Sequence, residues 1–181
     1  MAGRQIALIR GINVGKAKRV AMADLRAVCE NLGYKEVRTL LNSGNIVFNS
    51  PRTTPAKSAV EIEQALSKRL GVSARVMVLG AKELAGAVEE NPLGKVADNP
   101  SRLLVTFLMN PADRKLLLPL TKRQWKPEAF AVGSRAAYVW CPEGMLKSPL
   151  AEAVGRTLGD AGTTRNWATV LKLHALAGAA E

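Results

Sequence analysis

The sequence predicts an α+β fold built from two ferredoxin-like, or split βαβ, subdomains. Apolar runs of strand length alternate with segments of helical period, and over residues 1–80 their order is β-α-β-β-α-β. After a stretch broken by Asn91-Pro92 and Asn99-Pro100, the same order starts again. A chain of 181 residues, 48% of them apolar, is long and apolar enough to build both cores.

Each element of the first subdomain has a local signal. The run RQIALIR is apolar on both alternating faces, which is typical of a strand buried on both sides. Gly33 and Gly71 end the two helical patterns, and the sequence NSGN predicts the turn of a hairpin. The predicted elements are a strand at 4–10, a helix at 21–32, strands at 36–41 and 46–49, a helix after Pro55 and a strand at 73–79.

The second subdomain repeats the pattern, but its fourth strand is not predicted. The sequence GDAG at 159–162 is typical of a turn, so we expect the second copy to be a modified one. Thr163 or Thr164 is expected to cap a last helix at 165–177. The other predicted elements are a helix at 81–90, a strand at 102–109, a short helix at 111–118, a hairpin of 130–132 with 135–141, and a helix at 149–158.

These patterns divide the chain into four parts. Residues 1–80 form the first subdomain, 81–101 a linker with a helix, 102–162 the second subdomain and 163–181 a C-terminal helix. Because an isolated helix of this length is marginal in water, we expect it to pack back against the loop edge of the first subdomain. The apolar stripe that would do so consists of Trp167, Val170, Leu171, His174 and Ala177.

Charge is the one unusual feature of the composition. The chain has 26 lysines and arginines against 15 acidic residues, a formal net charge of +11. Such an excess attracts polyanions, so an anionic ligand or nucleic acid is a candidate partner. The alternative is that a basic surface serves solubility alone.

Other sequence features give negative expectations. The apolar runs are too short for a membrane span and no signal peptide is evident, so we expect a cytoplasmic protein that does not enter a membrane. Cys29 and Cys141 lack the spacing of a zinc or redox motif, and both are expected to be reduced and unbridged. With His174 as the single histidine, no metal site and no cofactor are predicted. The oligomeric state is left open.

The predicted sheet brings two loops to one edge. In a split βαβ unit the first and third strands are antiparallel neighbours, so the end of the first lies beside the start of the third. This edge combines cationic and amide donors with glycines, and the last helix adds two further donors, which together suit an anion. The alternative is that turn residues of these types satisfy their own backbone. The candidate residues are Arg10, Asn13, Lys16, Ser43, Asn45, Arg165 and Asn166.

Other chemistries have less support. GINVGK at 11–16 has its glycines one residue too close for a P-loop, and Ala17 stands where a serine or threonine must bind Mg²⁺. No base lies near either cysteine in sequence, so no catalytic residue is predicted. RNA-recognition motifs share the strand order, but the first strand has no aromatic side chain for base stacking. Tyr138 and Trp140 are expected in the core.

Three ordered motifs resemble a bacterial protein family. They are RGINVGK at 10–16, VRTLLNSGNIVF at 37–48 and TTRNWATVLKL at 163–173, and the family is domain of unknown function 1697. The resemblance spans nearly the whole chain and implies two ferredoxin-like subdomains, but no activity, substrate or catalytic residue. Lys16 replaces a glycine common after GINVG, and Leu40-Leu41-Asn42 replaces a usual Tyr-x-Gln, so the resemblance implies no tyrosine or glutamine role at this edge.

Two functional hypotheses follow. The first is a non-enzymatic binding module that holds an anionic ligand, a phosphate group or a nucleic-acid backbone, at the edge formed by residues 10–20 and 42–45. The second is an enzyme that acts on a small anionic metabolite at the same edge. Because the sequence places no titratable base there, it favours binding.

Overall fold

A computed structural model describes residues 3–16 and 18–178. Its strands are β1 (Arg4–Ile9), β2 (Lys35–Leu40), β3 (Asn45–Asn49), β4 (Val76–Gly80), β5 (Leu103–Leu108), β6 (Ala129–Val132), β7 (Ala136–Trp140) and β8 (Gly162–Asn166). Its helices are α1 (Met22–Asn31), α2 (Pro55–Leu70), α3 (Ala81–Glu90), α4 (Arg114–Thr121), α5 (Pro149–Leu158) and α6 (Trp167–Gly178). Short 3-10 turns cover Pro111–Asp113, Met145–Lys147 and Gly159–Ala161.

The chain divides into two compact units. Met1–Leu84 with Leu173–Glu181 make the first, and Ala85–Lys172 make the second. Each has a four-stranded antiparallel sheet, with strand order β2-β3-β1-β4 in the first and β6-β7-β5-β8 in the second. The two orders correspond strand for strand. The predicted α+β fold of duplicated ferredoxin-like subdomains is therefore confirmed.

Strand β1 lies in the middle of the first sheet. It pairs antiparallel with β3, from Arg4 opposite Asn49 to Leu8 opposite Asn45, as the sequence predicted. Its other neighbour is β4, which is also antiparallel. Ile6 and Leu8 on one face and Ala7 on the other are all inaccessible to solvent, so β1 is buried on both faces.

Helices α1 and α2 supply the core of the first unit. Their apolar faces pack with the side chains that β1, β3 and β4 direct to one side of the sheet. The ring of Tyr34 stacks on Phe48 with 4.5 Å between centroids, which adds an aromatic pair to this core. The main members are Ala7, Ile9, Leu25, Cys29, Tyr34, Ile46, Phe48, Ile62, Leu66, Val76 and Val78.

The second unit has an equivalent core under α4 and α5. Val139 of β7 and Cys141, the residue after this strand, belong to the core. Tyr138 and Trp140 of the same strand are also buried, as predicted. The tyrosine hydroxyl donates to the backbone oxygen of Ala87 at 2.5 Å, which satisfies its polar end. The core residues are Leu104, Leu108, Leu117, Leu120, Ala137, Val139, Cys141, Leu150, Val154 and Leu158.

The second copy contains the fourth strand that the sequence did not predict. Strand β8 pairs antiparallel with β5, and the hydroxyls of Thr106 and Thr164 join the two strands at 2.8 Å. The second subdomain therefore has all four strands, and the expectation that its fourth strand was missing was wrong. The two glycines and the aspartate before the threonines are residue types typical of a turn. Strand β8 forms because it pairs with β5, almost 60 residues earlier in the chain.

The last helix begins later than predicted. Thr163 and Thr164 belong to β8, and Asn166 is the capping residue, since its Oδ1 accepts the backbone N–H of Thr169 at 2.9 Å. Val170 and Ala177 of the predicted stripe are buried, whereas Leu171 is 39% exposed and Leu173 is buried in its place.

The carboxyl end of this helix contacts the start of β1 within the first unit. Arg4 Nη1 lies 3.5 Å and 3.4 Å from the backbone oxygens of Leu176 and Ala177. A cation at this position also interacts favourably with the helix dipole. That the helix packs against the loop edge stays a prediction.

We predict that Asn166→Ala destabilises the protein by about 1 kcal/mol, because α6 loses its side-chain cap. Asn166→Asp keeps an accepting oxygen and should lose less than half of that. The free energy of unfolding from urea titrations followed by circular dichroism checks both variants. Equal losses for the two variants would show that the cap does not stabilise the helix.

The two cysteines are free and buried, each in the core of its own unit. Burial, with a smaller contribution from Glu30, raises the pKa of Cys29 to about 12, and burial also raises the pKa of Cys141. Both thiols therefore stay protonated in the folded protein near neutral pH, and neither has the lowered pKa of a reactive cysteine.

The raised pKa of Cys29 predicts a loss of stability in alkali. The thiol ionises in the unfolded chain from about pH 9 but stays protonated in the folded protein, so the unfolded state gains stability as the pH rises above 9. At about pH 10.5 this costs about 2 kcal/mol relative to neutral pH. Urea unfolding at both pH values should show this loss. Between neutral pH and the alkaline pH, the free energy of unfolding of Cys29→Ala should fall by about 2 kcal/mol less than that of the wild type.

Candidate anion site

Two loops of the first unit meet at one edge of its sheet. The first follows β1 and the second is the β2–β3 turn. The backbone N–H of Ile9 donates to Gly44 at 2.8 Å, and the side-chain amide of Asn13 donates to the backbone oxygen of Asn42 at 2.8 Å. The structure thus brings together the two segments that the sequence analysis combined into one site.

Gly44 permits this close approach. Its φ of +82° lies in the left-handed region, and a Cβ built on it would lie 2.9 Å from both Ile9 Cβ and Ile12 Cδ1. Real Cβ atoms do not come this near to other carbons, so any side chain at this position would push the two loops apart. Glycine is required here for both conformation and space.

Asn13 and Asn45 use their amides to hold the loops. Asn13 accepts the backbone N–H of Val20 at 2.8 Å and donates back to the backbone oxygen of the same residue at 2.8 Å. Asn45 is fully buried and donates to Leu40 O and to the hydroxyl of Ser43, both at 2.9 Å. Their hydrogen bonds are those of turn residues, so these two amides set the shape of the edge.

Basic side chains dominate the edge. Lys18 Nζ donates to Ser73 O at 3.2 Å and Arg19 Nη2 to Gly15 O at 3.1 Å. The backbone N–H of Arg10 donates to Arg75 O at 2.9 Å, which adds the α2–β4 segment to the same edge. We call residues 10–20, 41–45 and 71–75 the basic loop edge. Its five lysines and arginines are Arg10, Lys16, Lys18, Arg19 and Arg75, and its sequence contains no aspartate or glutamate.

Most of these cations are open to solvent. Lys16, Lys18, Arg19 and Arg75 are exposed, and Arg10 is half-buried. A carboxylate does approach from α2, but Glu63 Oε1 accepts the backbone N–H of Val76 at 2.8 Å. The edge therefore presents an exposed positive surface made from three chain segments.

Helix α1 adds to this positive potential. It starts directly after the basic loop, and its N-cap residue, Ala21, has no side chain that could cap the first turn. The amino end of a helix has a partial positive charge from its unpaired N–H groups. Asp24 in the first turn offsets part of it.

Arg165 and Asn166 belong to the second unit, whereas the other five candidates belong to the first. Arg165 lies on β8 opposite Val105 and donates to Thr164 O at 2.9 Å. Burial lowers its pKa to about 10, so it keeps its charge at neutral pH. Asn166 caps α6. Their place in an anion site stays a prediction.

Sequence reasoning left three cations of the edge out of the candidate site. Lys18 and Arg19 follow Lys16 in the same loop, and the basic composition of that loop could have found them. Arg75 becomes a neighbour of Arg10 only through the pairing of β1 with β4. The sequence predicted only the pairing of the first strand with the third.

The described residues also bear on metal binding and on membrane insertion. Over 3–16 and 18–178, the structure has no group of three or more histidine, cysteine, aspartate or glutamate side chains that could hold a metal ion. None of the helices that the structure describes is long and apolar enough to cross a membrane.

Comparison with known proteins gives the family and the fold. The model of a family described as "Protein of unknown function (DUF1697)" matches residues 2–138. The chain belongs to the DUF1697 family. No curated protein matches it.

A solved structure supports the fold of this DUF1697 protein. The conserved bacterial protein SP0830 from Streptococcus pneumoniae is similar, with a TM-score of 0.73 over 96% of this chain and 98% of that one. The two sequences are 23% identical, so the likeness shows a shared fold.

The close packing at Gly44 leads to a stability prediction. Gly44→Ala should cost about 2 to 4 kcal/mol, from left-handed strain together with overpacking against Ile9 and Ile12. Gly71→Ala is the matched control, because Gly71 also has a positive φ, of 64°, but its Cβ would meet nothing within 4 Å. That variant should cost about 1 kcal/mol. Chemical unfolding of the two variants checks the difference, and equal costs would contradict the packing argument.

Proposed function

We propose that this protein is a binding module for an anionic ligand, a phosphate group or a nucleic-acid backbone, held at the basic loop edge. One observation carries the proposal. Three loop segments with five lysines and arginines and no acidic residue are joined by hydrogen bonds at one edge of a sheet. Like charges on one edge repel each other, and a bound anion would relieve that repulsion.

The chemistry of the edge fits phosphate better than it fits nucleobases. Exposed lysine and arginine side chains contact phosphate oxygens without reading sequence, and the positive end of α1 adds to the attraction. Base stacking needs aromatic side chains, and the loops of the edge contain none. The edge is therefore suited to a sugar-phosphate backbone and not to a particular base sequence.

The sheet of the first unit does not provide an alternative nucleic-acid surface. RNA-recognition motifs stack bases on the open face of a similar sheet. Here Ile6 and Leu8 of the central strand are inaccessible to solvent. Contact with the backbone at the loop edge is the mode that fits, and a cytoplasmic location, where nucleic acid is an abundant polyanion, is consistent with it.

The test compares two triple variants that remove the same charge. Lys16, Lys18 and Arg19 are replaced by alanine at the edge, and Lys35, Arg52 and Lys57 are replaced at the opposite end of the β2–β3 hairpin. Fluorescence anisotropy with labelled single-stranded DNA gives the association constant at each salt concentration. For wild type, the logarithm of this constant should fall against the logarithm of the salt concentration with a slope of about −3. The edge triple should weaken binding by at least about tenfold, and the control triple by no more than about threefold.

The two phosphate sources are distinguished by a second measurement. Inorganic phosphate is titrated while the backbone amides of Gly11, Gly15 and Gly44 are followed by NMR. A nucleic-acid backbone as ligand predicts tight, salt-dependent DNA binding, and a small phosphate ligand predicts saturable amide shifts with weak DNA binding. Equal DNA affinity for both triples, together with no shift at these glycines, would contradict the proposal.

A further inference from the structure

A cavity of about 380 Å³ lies in the first unit, at the end of the β2–β3 hairpin away from its turn. Lys35 starts β2 opposite Asn49 at the end of β3, and the segment that follows β3 closes one side of the cavity. A strand of five residues separates this place from the basic loop edge by roughly 15 Å. The volume is at the lower end of the range for small-molecule sites.

Polar residues that line the cavity belong to a network of hydrogen bonds. The hydroxyls of Ser50 and Thr53 are hydrogen-bonded to each other, and Thr53 Oγ1 lies 2.6 Å from Ser58 Oγ. The Tyr34 hydroxyl donates to Glu61 Oε2 at 2.7 Å. Ser50 and Ser58 are at most 1% exposed, whereas Thr53 and Glu61 are half-buried and line the cavity, so the network meets the cavity at these two residues.

Two contacts with the rest of the first unit fix this network. The ring of Tyr34 is fixed by its stacking on Phe48, and the buried amide of Gln5 donates to Thr53 O at 2.7 Å. Burial raises the pKa of Tyr34 to about 12, with Glu61 contributing in the same direction, so the hydroxyl is protonated at neutral pH and can donate. Side chains fixed in this way lose little conformational entropy when a ligand binds.

Three exposed cations line the cavity. Lys35, Arg52 and Lys57 line the cavity and are exposed, and their side chains form no hydrogen bond or ion pair with any residue that the structure describes. Elsewhere in the same unit, Arg4 and Arg26 are paired with glutamates. Against these three cations the lining has one carboxylate, Glu61.

Helix α2 also favours an anion at this place. The helix has 16 residues and begins at Pro55, and Lys57 of its first turn lines the cavity. Its amino end therefore adds partial positive charge to that of the three side chains. The first turn contains no acidic residue that would offset it.

We infer that this cavity binds a small phosphate monoester that carries hydroxyl or amino groups, such as a sugar phosphate. A monoester has a charge between −1.5 and −2 at about neutral pH, which matches the excess of two positive charges in the lining. Lys35, Arg52 and Lys57 contact the phosphate oxygens, while Glu61 and the hydroxyl of Thr53 hydrogen-bond the polar body of the ligand. This site is separate from the basic loop edge and does not depend on its function.

NMR titration tests the inference on the full chain. The probes are glucose 6-phosphate, glycerol 3-phosphate and phosphoserine, and glucose is the uncharged control. At least one phosphate monoester should shift the backbone amides of Gly33 and Thr53 in a saturable way and bind at least about tenfold more tightly than glucose. No shift at these amides with any probe, or glucose binding equally well, would overturn the inference.

The two triple variants then separate this site from the basic loop edge. Alanine at Lys35, Arg52 and Lys57 should weaken the monoester by at least about tenfold, whereas alanine at Lys16, Lys18 and Arg19 should leave its affinity within about twofold. The reverse pattern would place the monoester at the edge and overturn the inference while supporting the proposed function.

A single substitution tests the buried network. Tyr34→Phe keeps the ring on Phe48 and removes only the hydroxyl, so it should weaken the monoester by about threefold to tenfold. Circular dichroism confirms that the variant is folded, and Lys57→Gln provides a second, exposed variant whose folding is not in question. Unchanged affinity in both variants would overturn the assignment of the site.

Discussion

The antiparallel ladder through β2, β3, β1 and β4 is the constraint on which both candidate sites depend. Because β1 pairs with β3 and with β4, the loop after it must meet both the hairpin turn and the α2–β4 segment at one edge. The same hairpin places the start of β2 beside the segment after β3 at the other end. One register thus positions two groups of basic residues that are far apart in the sequence.

Surface cations of the first unit fall into two groups, those that pair with a carboxylate and those that lie where lysines and arginines outnumber carboxylates. Arg4 pairs with Glu36 at 2.6 Å and also contacts the carbonyl end of α6, so it connects elements of the first unit. Exposed pairs such as Arg26 with Glu30 add little stability on their own. The cations of the loop edge and the cavity are different, because lysines and arginines there outnumber the carboxylates around them. The net charge of +11 alone does not show where these cations lie, whereas the fold shows which of them are gathered together.

The candidate sites could be predicted from the sequence only where local signals were enough. The meeting of GINVG with the SGN turn followed from the order of elements, and Gly44 was already part of the expected turn. The roles of Asn13 and Asn45 did not follow, because an amide in a loop can bind a ligand or its own backbone, and only the hydrogen bonds at Val20 and Leu40 decide. The cavity was not predicted, because its lining residues Tyr34, Arg52 and Glu61 lie in three separate segments of the chain and share no sequence motif.

The sequence by itself determined the class of fold, the central position of β1 and the ends of α2, because the apolar period, Pro55 and Gly71 are local properties. The tertiary structure decided β8, since its backbone hydrogen bonds depend on β5 and not on the turn-like residues that precede it. It also decided the start of α6, where the chain leaves β8 and Asn166 becomes the cap. Non-local pairing overrode local preference at these places, because each backbone N–H and C=O is satisfied by whichever partner the folded chain brings within reach.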